Sequence, residues 1–208
     1  SAELHGEAGP KGPASLLSPS TPPASGLGSA SAPGPTPRQP LATRLGTARL
    51  YLVTPGAVRQ GSLDGFLARV LEGGVDAVQL RVKELEARPL LRLAEVVRRR
   101  TDEFGALFIV NDRVDLAIAA GADGVHLGQD DLPVATAKAL LTASGLPGAL
   151  IGWSTHREQE VLASREAGVD YIGVGPVHTT PTKPGRAAVG LDLVRFAADK
   201  VNLPKEKA

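Results

Sequence analysis

The run Gln79-Leu80-Arg81-Val82-Lys83 sets an amide and two cations at alternate positions, with Leu80 and Val82 between them. In an extended strand alternate side chains share a face, so Gln79, Arg81 and Lys83 would line one wall and the apolar pair the other. Two cations and an amide on one wall suit a polyanion such as pyrophosphate. The same run would also serve as an edge strand with solvated charges. Asn111-Asp112 closes a second apolar run, where Asp112 is equally placed to cap a helix starting near Val114 or to ligate a metal. Gln129-Asp130-Asp131 closes the next one. Neighbouring parallel strands lie about 4.8 Å apart, so carboxylates at two strand tips could share one ion. Oxygen ligands without Cys or a His cluster point to magnesium, which takes one or two carboxylates plus phosphate oxygens and water.

Ser154 ends a strand-like run in which Gly152 and Ser154 share one face, and Ile151 and Trp153 the other. Gly152 would leave room for a ligand ring that the Ser154 hydroxyl could bond, although an isolated Ser is also a common helix cap. Gly-Trp-Ser-Thr-His does not satisfy the G-x-S-x-G elbow, so Ser154 is not read as a hydrolase nucleophile. His126 reads as a packed core histidine and His156 as a first-turn helix residue. Gly173 to Gly185 holds three threonines, three prolines and Lys183. The prolines restrict such a loop, and its amides, hydroxyls and lysine could face a ligand. A plain Pro/Thr surface loop has the same composition.

These groups need elements to position them. From Ala48 onward, short β-rich runs alternate with helical stretches: ARLYLVT, DAVQLR, ALFIVN, GVHLG, ALIGWST and DYIGVG each lead into a helix. Such alternation implies right-handed βαβ crossovers and a parallel sheet, in about six βα units. A polar or Gly/Pro cluster follows nearly every strand. A TIM (βα)8-type barrel gathers all strand C-termini at one mouth, whereas a doubly wound sheet uses mainly one switch point. No GxGxxG or P-loop follows the first strand, and the barrel is the better reading.

Composition bounds the rest. The chain has 208 residues, 42% hydrophobic but only 3% aromatic, so aliphatic side chains must fill the core of a single domain. A net charge of +1 argues against nucleic acid as a partner. No apolar run reaches the roughly 18 residues of a membrane span. The absence of Cys rules out disulfides and thiolate zinc sites and fits a cytoplasmic setting. The absence of Met suggests a trimmed or partial chain. Ser1 to about Thr47 is rich in Pro, Ser, Ala and Gly and is expected to be disordered, with a transit peptide as the weaker alternative.

Together the motifs resemble the thiamine-phosphate synthase family: QLRVK from Gln79, NDRVDLA from Asn111, ADGVHLGQDDLP from Ala122, IGWSTH from Ile151, and YIGVGPV followed by TPTK from Thr180. The resemblance covers about Ala48 to Lys200 in the family's order. It implies a transferase joining a pyrimidine pyrophosphate to a thiazole phosphate with release of pyrophosphate. It also implies that Gln79, Leu80, Arg81, Val82, Lys83, Asn111, Ser154 and Lys183 bind the pyrimidine pyrophosphate. Thr180, Pro181 and Thr182 would bind the thiazole phosphate. Asp112 and Asp131 would hold Mg²⁺, and Arg81, Lys83 and Lys183 would carry the catalytic charge.

The family's chain normally continues into a seventh strand and an eighth, which complete the thiazole phosphate site; here the sequence stops at VNLPKEKA. A fragment, a truncated gene product, or a homo-oligomer or other partner supplying the missing quarter would each account for that. A non-catalytic TenI-like or truncated ligand-binding paralogue is the alternative from another class, and an indole-glycerol-phosphate synthase-like barrel is a second enzyme reading. Six strands cannot close an eight-stranded barrel, so strands one and six would have open edges. The chain alone is therefore predicted to be poorly stable or self-associating. Sedimentation and a thermal melt check this, a monodisperse monomer with a cooperative transition being the contrary result.

Overall fold

The computed structural model describes residues 39–54, 60–178, 188–202 and 205–207. A leading helix α1 (Leu41–Thr47) is followed by β1 (Tyr51–Val53), α2 (Gln60–Glu72), β2 (Ala77–Leu80), α3 (Ala87–Phe104), β3 (Leu107–Asn111), α4 (Val114–Ala119) and β4 (Gly124–Leu127). Then come α5 (Val134–Ala143), β5 (Leu150–Thr155), α6 (Glu158–Ala167), β6 (Tyr171–Val174), α7 (Gly190–Lys200) and β7 (Lys205–Lys207). All strand pairs are parallel, and their order in the sheet is their order in the chain. This is the barrel topology with six βα units that the alternating pattern predicts.

Strand alternation sorts the side chains into two clusters. Val78, Leu80, Phe108, Val110, Val125, Leu127, Ile151, Ile172 and Val174 point outward and pack under the helices. The helices meet them with matching faces: α3 buries Leu90, Leu93, Ala94, Val97 and Thr101, the spacing of one helical stripe. Inside the sheet, Ala77, Leu107, Ile109, Leu150 and Tyr171 form a separate cluster with Leu45 of α1. The sheet curls, because the Tyr51 hydroxyl on β1 lies 2.7 Å from that of Tyr171 on β6, five strands away in sheet order.

The N-terminal ends of the strands are tied by a device that repeats. Gly74-Val75-Asp76, Gly121-Ala122-Asp123 and Gly168-Val169-Asp170 precede β2, β4 and β6 at equal spacing. Each glycine adopts a left-handed conformation (φ 92°, 59° and 71°) that turns the chain out of the preceding helix. Each following apolar residue is buried. Each aspartate then accepts backbone N–H groups from the preceding strand region: Asp76 from Arg49 and Leu50, Asp123 from Phe108, Asp170 from Ile151, all at 2.8–2.9 Å.

Two expectations need correction. The segment expected to be disordered up to Thr47 contains α1, whose Leu45 is buried against the interior cluster and whose Arg44 donates to the Gly105 carbonyl at 2.9 Å. Leu41 packs on the same cluster one turn before Leu45, and this short apolar pair with the Arg44 contacts holds a helix too brief to show a longer stripe. Residues 1–38, the rest of that segment, lie outside the described residues. The edge of β6 is also not open. Lys205–Lys207 pairs with it as a seventh parallel strand, with Ile172 opposite Lys205 and Val174 opposite Lys207. Three charged residues carry no apolar period, but backbone pairing needs none.

Gly124 marks a close approach of two strands in the interior. A Cβ there would lie 2.3 Å from the Leu150 carbonyl oxygen, an atom fixed in the adjacent strand. Gly124→Ala should destabilise the fold by about 1–3 kcal/mol or more, read as a lower urea midpoint.

Candidate active site at the strand C-termini

Read from the N-terminal to the C-terminal ends of the strands, the interior changes character. Leu107 and Leu150 lie lowest, then a hydrogen-bonded band of Tyr51, Gln79, His126 and Tyr171, and at the rim Arg81, Lys83, Asp112 and Asp131. Gln79 is 3% exposed and donates to the Tyr51 hydroxyl at 2.9 Å, so it faces inward as strand alternation predicts. Leu80 packs outward in the core and Val82 packs partly against it, leaving these two only their backbones to offer a ligand. Arg81 follows the end of β2, and its backbone N–H is held by the Thr54 hydroxyl at 3.0 Å, which ties the tips of β1 and β2 together.

Asp112 departs from ordinary backbone geometry. Among the described residues it is the one non-glycine with positive φ, 62°. Asp tolerates this region better than most residues, yet it costs free energy that surrounding contacts must hold. Here the holding contacts are backbone bonds on both sides: Asp112 N–H to the His126 carbonyl at 2.8 Å and Arg113 N–H to the Asn111 carbonyl at 2.7 Å. The turn swings the carboxyl toward β4 instead of the following helix. Of the two sequence readings of Asp112, the cap is excluded: α4 has Arg113 at its N-cap position and no side-chain cap.

The Asp112 carboxyl comes within hydrogen-bonding reach of Asp131. Burial pushes its pKa up to about 6, with the neighbouring Asp131 raising it further and Lys83 and Arg81 pulling it down. Asp131 is itself oriented, its Oδ2 accepting the Gly128 N–H at 2.6 Å. Two carboxylates facing each other, one just past β3 and one in the loop after β4, form a donor set that suits a hard divalent cation. Arg81 and Lys83 stand close enough to act on the same carboxylate. Asp130 occupies a turn.

Ser154 sits on β5 with its Oγ 2.9 Å from His126 Nε2, while Gln129 Nε2 donates to the Ser154 carbonyl at 2.6 Å. Asn111 ends β3 opposite His126 in the parallel register. The room expected beside Gly152 is already filled: a Cβ there would lie 2.1 Å from the Tyr171 ring and 2.6 Å from His126 Nδ1. The glycine admits a protein ring, because Tyr171 is its registered neighbour on β6. His126 is buried as expected. His156 precedes α6 instead of lying in its first turn, with its N–H bonded to Glu160 Oε2 at 2.7 Å and its ring to the Gly175 carbonyl. Thr180, Pro181, Thr182 and Lys183 lie outside the described residues.

The tyrosines are what sequence reasoning missed. Tyr51 and Tyr171 look like ordinary strand aromatics, and only the pairing of Tyr171 with Gly152 signals an inward ring in need of space.

Residues 50–205 match the family model described as thiamine monophosphate synthase. The chain is 51% identical over 164 residues to a thiamine-phosphate synthase of Gloeobacter violaceus, which covers 79% of this chain and 46% of that protein. It is 53% identical over 159 residues to one of Thermobifida fusca, 76% of this chain and 71% of that one. The chain thus spans less than half the length of the first relative and about seven-tenths of the second. Among solved structures, thiamine phosphate pyrophosphorylase from Pyrococcus furiosus superposes with a TM-score of 0.67 at 34% identity, covering 80% of this chain and 76% of that one. N-acetylmannosamine-6-phosphate 2-epimerase from Clostridium perfringens shares the fold at 12% identity, TM-score 0.58, over 85% of this chain and 82% of that one.

The Asp112 pair makes a stability prediction. Its folded pKa of about 6 lies above the ordinary 3.8, so the folded state binds the extra proton. In chelator, this group's contribution to stability is therefore lost as pH rises from about 4 through 6. Asp112→Asn removes the charge and tolerates the positive φ equally well. In chelator at neutral pH it should melt above the parent, by about 2–4 °C per kcal/mol relieved, and should flatten the decline between pH 4 and 6.

Proposed function

The chain belongs to the thiamine monophosphate synthase family, and we propose that it condenses an aminomethylpyrimidine bearing a diphosphooxymethyl group with a thiazole bearing a phosphooxyethyl group, giving thiamine phosphate and pyrophosphate. The observation that carries this reading is the facing pair Asp112 and Asp131 with Arg81 and Lys83 beside it at the strand C-termini. Opposed carboxylates ringed by cations suit a diphosphate bound through a divalent ion better than they suit a lone monophosphate or a neutral ligand.

In this reaction the bond from the pyrimidine methylene carbon to the diphosphate oxygen breaks, and its electron pair leaves with the diphosphate. The thiazole nitrogen supplies the pair for the new carbon–nitrogen bond. Negative charge gathers on the departing oxygens, so Arg81 and Lys83, and Lys183 by the family resemblance, act more strongly on the transition state than on the ground state. Asp112 and Asp131 would hold Mg²⁺, which when bound supplies further positive charge to the diphosphate. Asn111 stands at the same rim to hydrogen-bond the pyrimidine diphosphate. Gln79 and Ser154 lie deeper, at the level of the pyrimidine ring. Thr180, Pro181 and Thr182 receive the thiazole phosphate in the same reading. No side chain needs to act as nucleophile. A cytoplasmic setting belongs to this reading: the chain has no cysteine, and among the described residues no helix is long and apolar enough to cross a membrane.

Pyrophosphate release from the two substrates with Mg²⁺ tests the proposal. Arg81→Ala should lower the rate roughly 10²–10³-fold, and the double variant Asp112→Ala, Asp131→Ala should abolish the magnesium-dependent rate. Undiminished turnover in the double variant would refute the metal assignment. Binding of the pyrimidine diphosphate without any release would instead favour a ligand-binding protein.

A further inference from the structure

The loop after β4 carries Asp131 and is fastened both within itself and to the next strand. Within it, the Gly128 N–H donates to Asp131 Oδ2 at 2.6 Å, so the carboxyl folds back over the turn from Gly128 to Asp131. A Cβ on Gly128 would lie 3.0 Å from that oxygen, and the glycine lets the carboxyl come so close. Beyond it, Gln129 Nε2 donates to the Ser154 carbonyl on β5 at 2.6 Å. The register explains why a side chain makes this bond. β4 and β5 pair from Gly124 opposite Leu150 to Leu127 opposite Trp153, with the Leu150 N–H on the Asp123 carbonyl at 2.9 Å. In a parallel ladder the bonds to one neighbour fall on alternate residues, so the carbonyls of Leu150, Gly152 and Ser154 face β4. A continuing β4 would meet the last of them with the Gln129 backbone N–H. The chain instead turns at Gln129 and Asp130, and the Gln129 side-chain amide takes that place.

We propose that Gln129 is a positioning residue for the cation-binding carboxylates: its amide closes the β4–β5 ladder in place of the backbone, so that the chain turns and holds Asp131 against Asp112. This deepens the proposed function and rests on it. The two halves of the pair are held differently. Asp112 is fixed by backbone, through its own N–H on the His126 carbonyl at 2.8 Å and its positive φ. Asp131 stands on a turn whose bond to β5 is made by a side chain two residues before it. Glutamine suits this place by length and by charge. Its amide donates to a carbonyl while adding no charge beside the carboxylates, whereas an ionised glutamate has no proton to donate and a lysine would set another cation against the pair. Without the bond, the Ser154 carbonyl turns to water. The two like charges repel, and the turn relaxes in the direction that parts them. Groups that orient metal ligands typically change the affinity for the ion by about 10–100-fold.

The test uses the whole chain, with Mn²⁺ as the spectroscopic probe and inorganic pyrophosphate as the anion. Gln129→Met keeps the length of the side chain and removes the donor. Electron paramagnetic resonance should show its Mn²⁺ dissociation constant raised about 10–100-fold over the parent's. Calorimetry then follows pyrophosphate binding with Mn²⁺ and in chelator. The variant should lose about tenfold or more in the first condition and stay within about twofold of the parent in the second, where Arg81 and Lys83 carry the binding. Equal weakening in both conditions would make Gln129 merely structural and overturn the inference, as would an Mn²⁺ affinity equal to the parent's. Should Gln129→Met fail to melt cooperatively, Gln129→Ala carries the same comparison, and loss of the fold in both would mark the bond as structural and overturn the inference. A parent that binds no Mn²⁺, with or without pyrophosphate, overturns the metal reading and this inference with it. That result is distinct from a parent that binds the ion and a variant that binds it equally well.

Discussion

The hydrogen bond between the Tyr51 and Tyr171 hydroxyls spans the sheet from its first strand to its sixth, and the site depends on the curvature it records. A flat sheet would hold these residues many strand spacings apart and leave the strand tips in a row. Curling brings inward side chains from β1, β2, β4, β5 and β6 into one confined interior. Once there, polar groups have little access to water and must satisfy one another. The band of Gln79, two tyrosines, His126 and Ser154 is that solution. It lies directly beneath the charged rim and separates it from the apolar floor of Leu107, Leu150 and Leu45.

The charged rim works in the opposite sense. Where the band is satisfied internally, burial and then the facing Asp131 carboxyl raise the Asp112 pKa to about 6. The backbone is committed to this opposition, since Asp112 sits at φ 62° between two bonded strand tips. Strain in the chain and repulsion between side chains meet at one residue, the pattern expected where structure is held for binding.

The barrel topology was legible from six β-rich runs alternating with helical stretches, and the inward turn of Gln79 from simple alternation. Proximity of Arg81, Lys83, Asp112 and Asp131 followed from placing each at the tip of a strand, which parallel topology forces to one end. What escaped the sequence depends on contacts between strands. Whether Gly152 opens a space or admits a neighbour is decided by the residue registered beside it, Tyr171, and register is invisible in a single strand. Helix α1 is ordered by tertiary anchoring of Leu41, Leu45 and Arg44, a single apolar pair too short to read as a stripe, and β7 is ordered by backbone pairing, which leaves no periodic trace. The loop carrying Thr180 to Lys183 is recognisable by motif and lies outside the described residues.

The Gly-x-Asp device before β2, β4 and β6 bears on how the chain acquires this shape. Each aspartate reaches back only a short way, 26 residues from Asp76 to Leu50, 15 from Asp123 to Phe108 and 19 from Asp170 to Ile151. Closures this local are entropically cheap and quick to form. A nascent chain leaving the ribosome can therefore fasten each pair of strands before the next pair has been synthesised, so that assembly proceeds in the direction of translation.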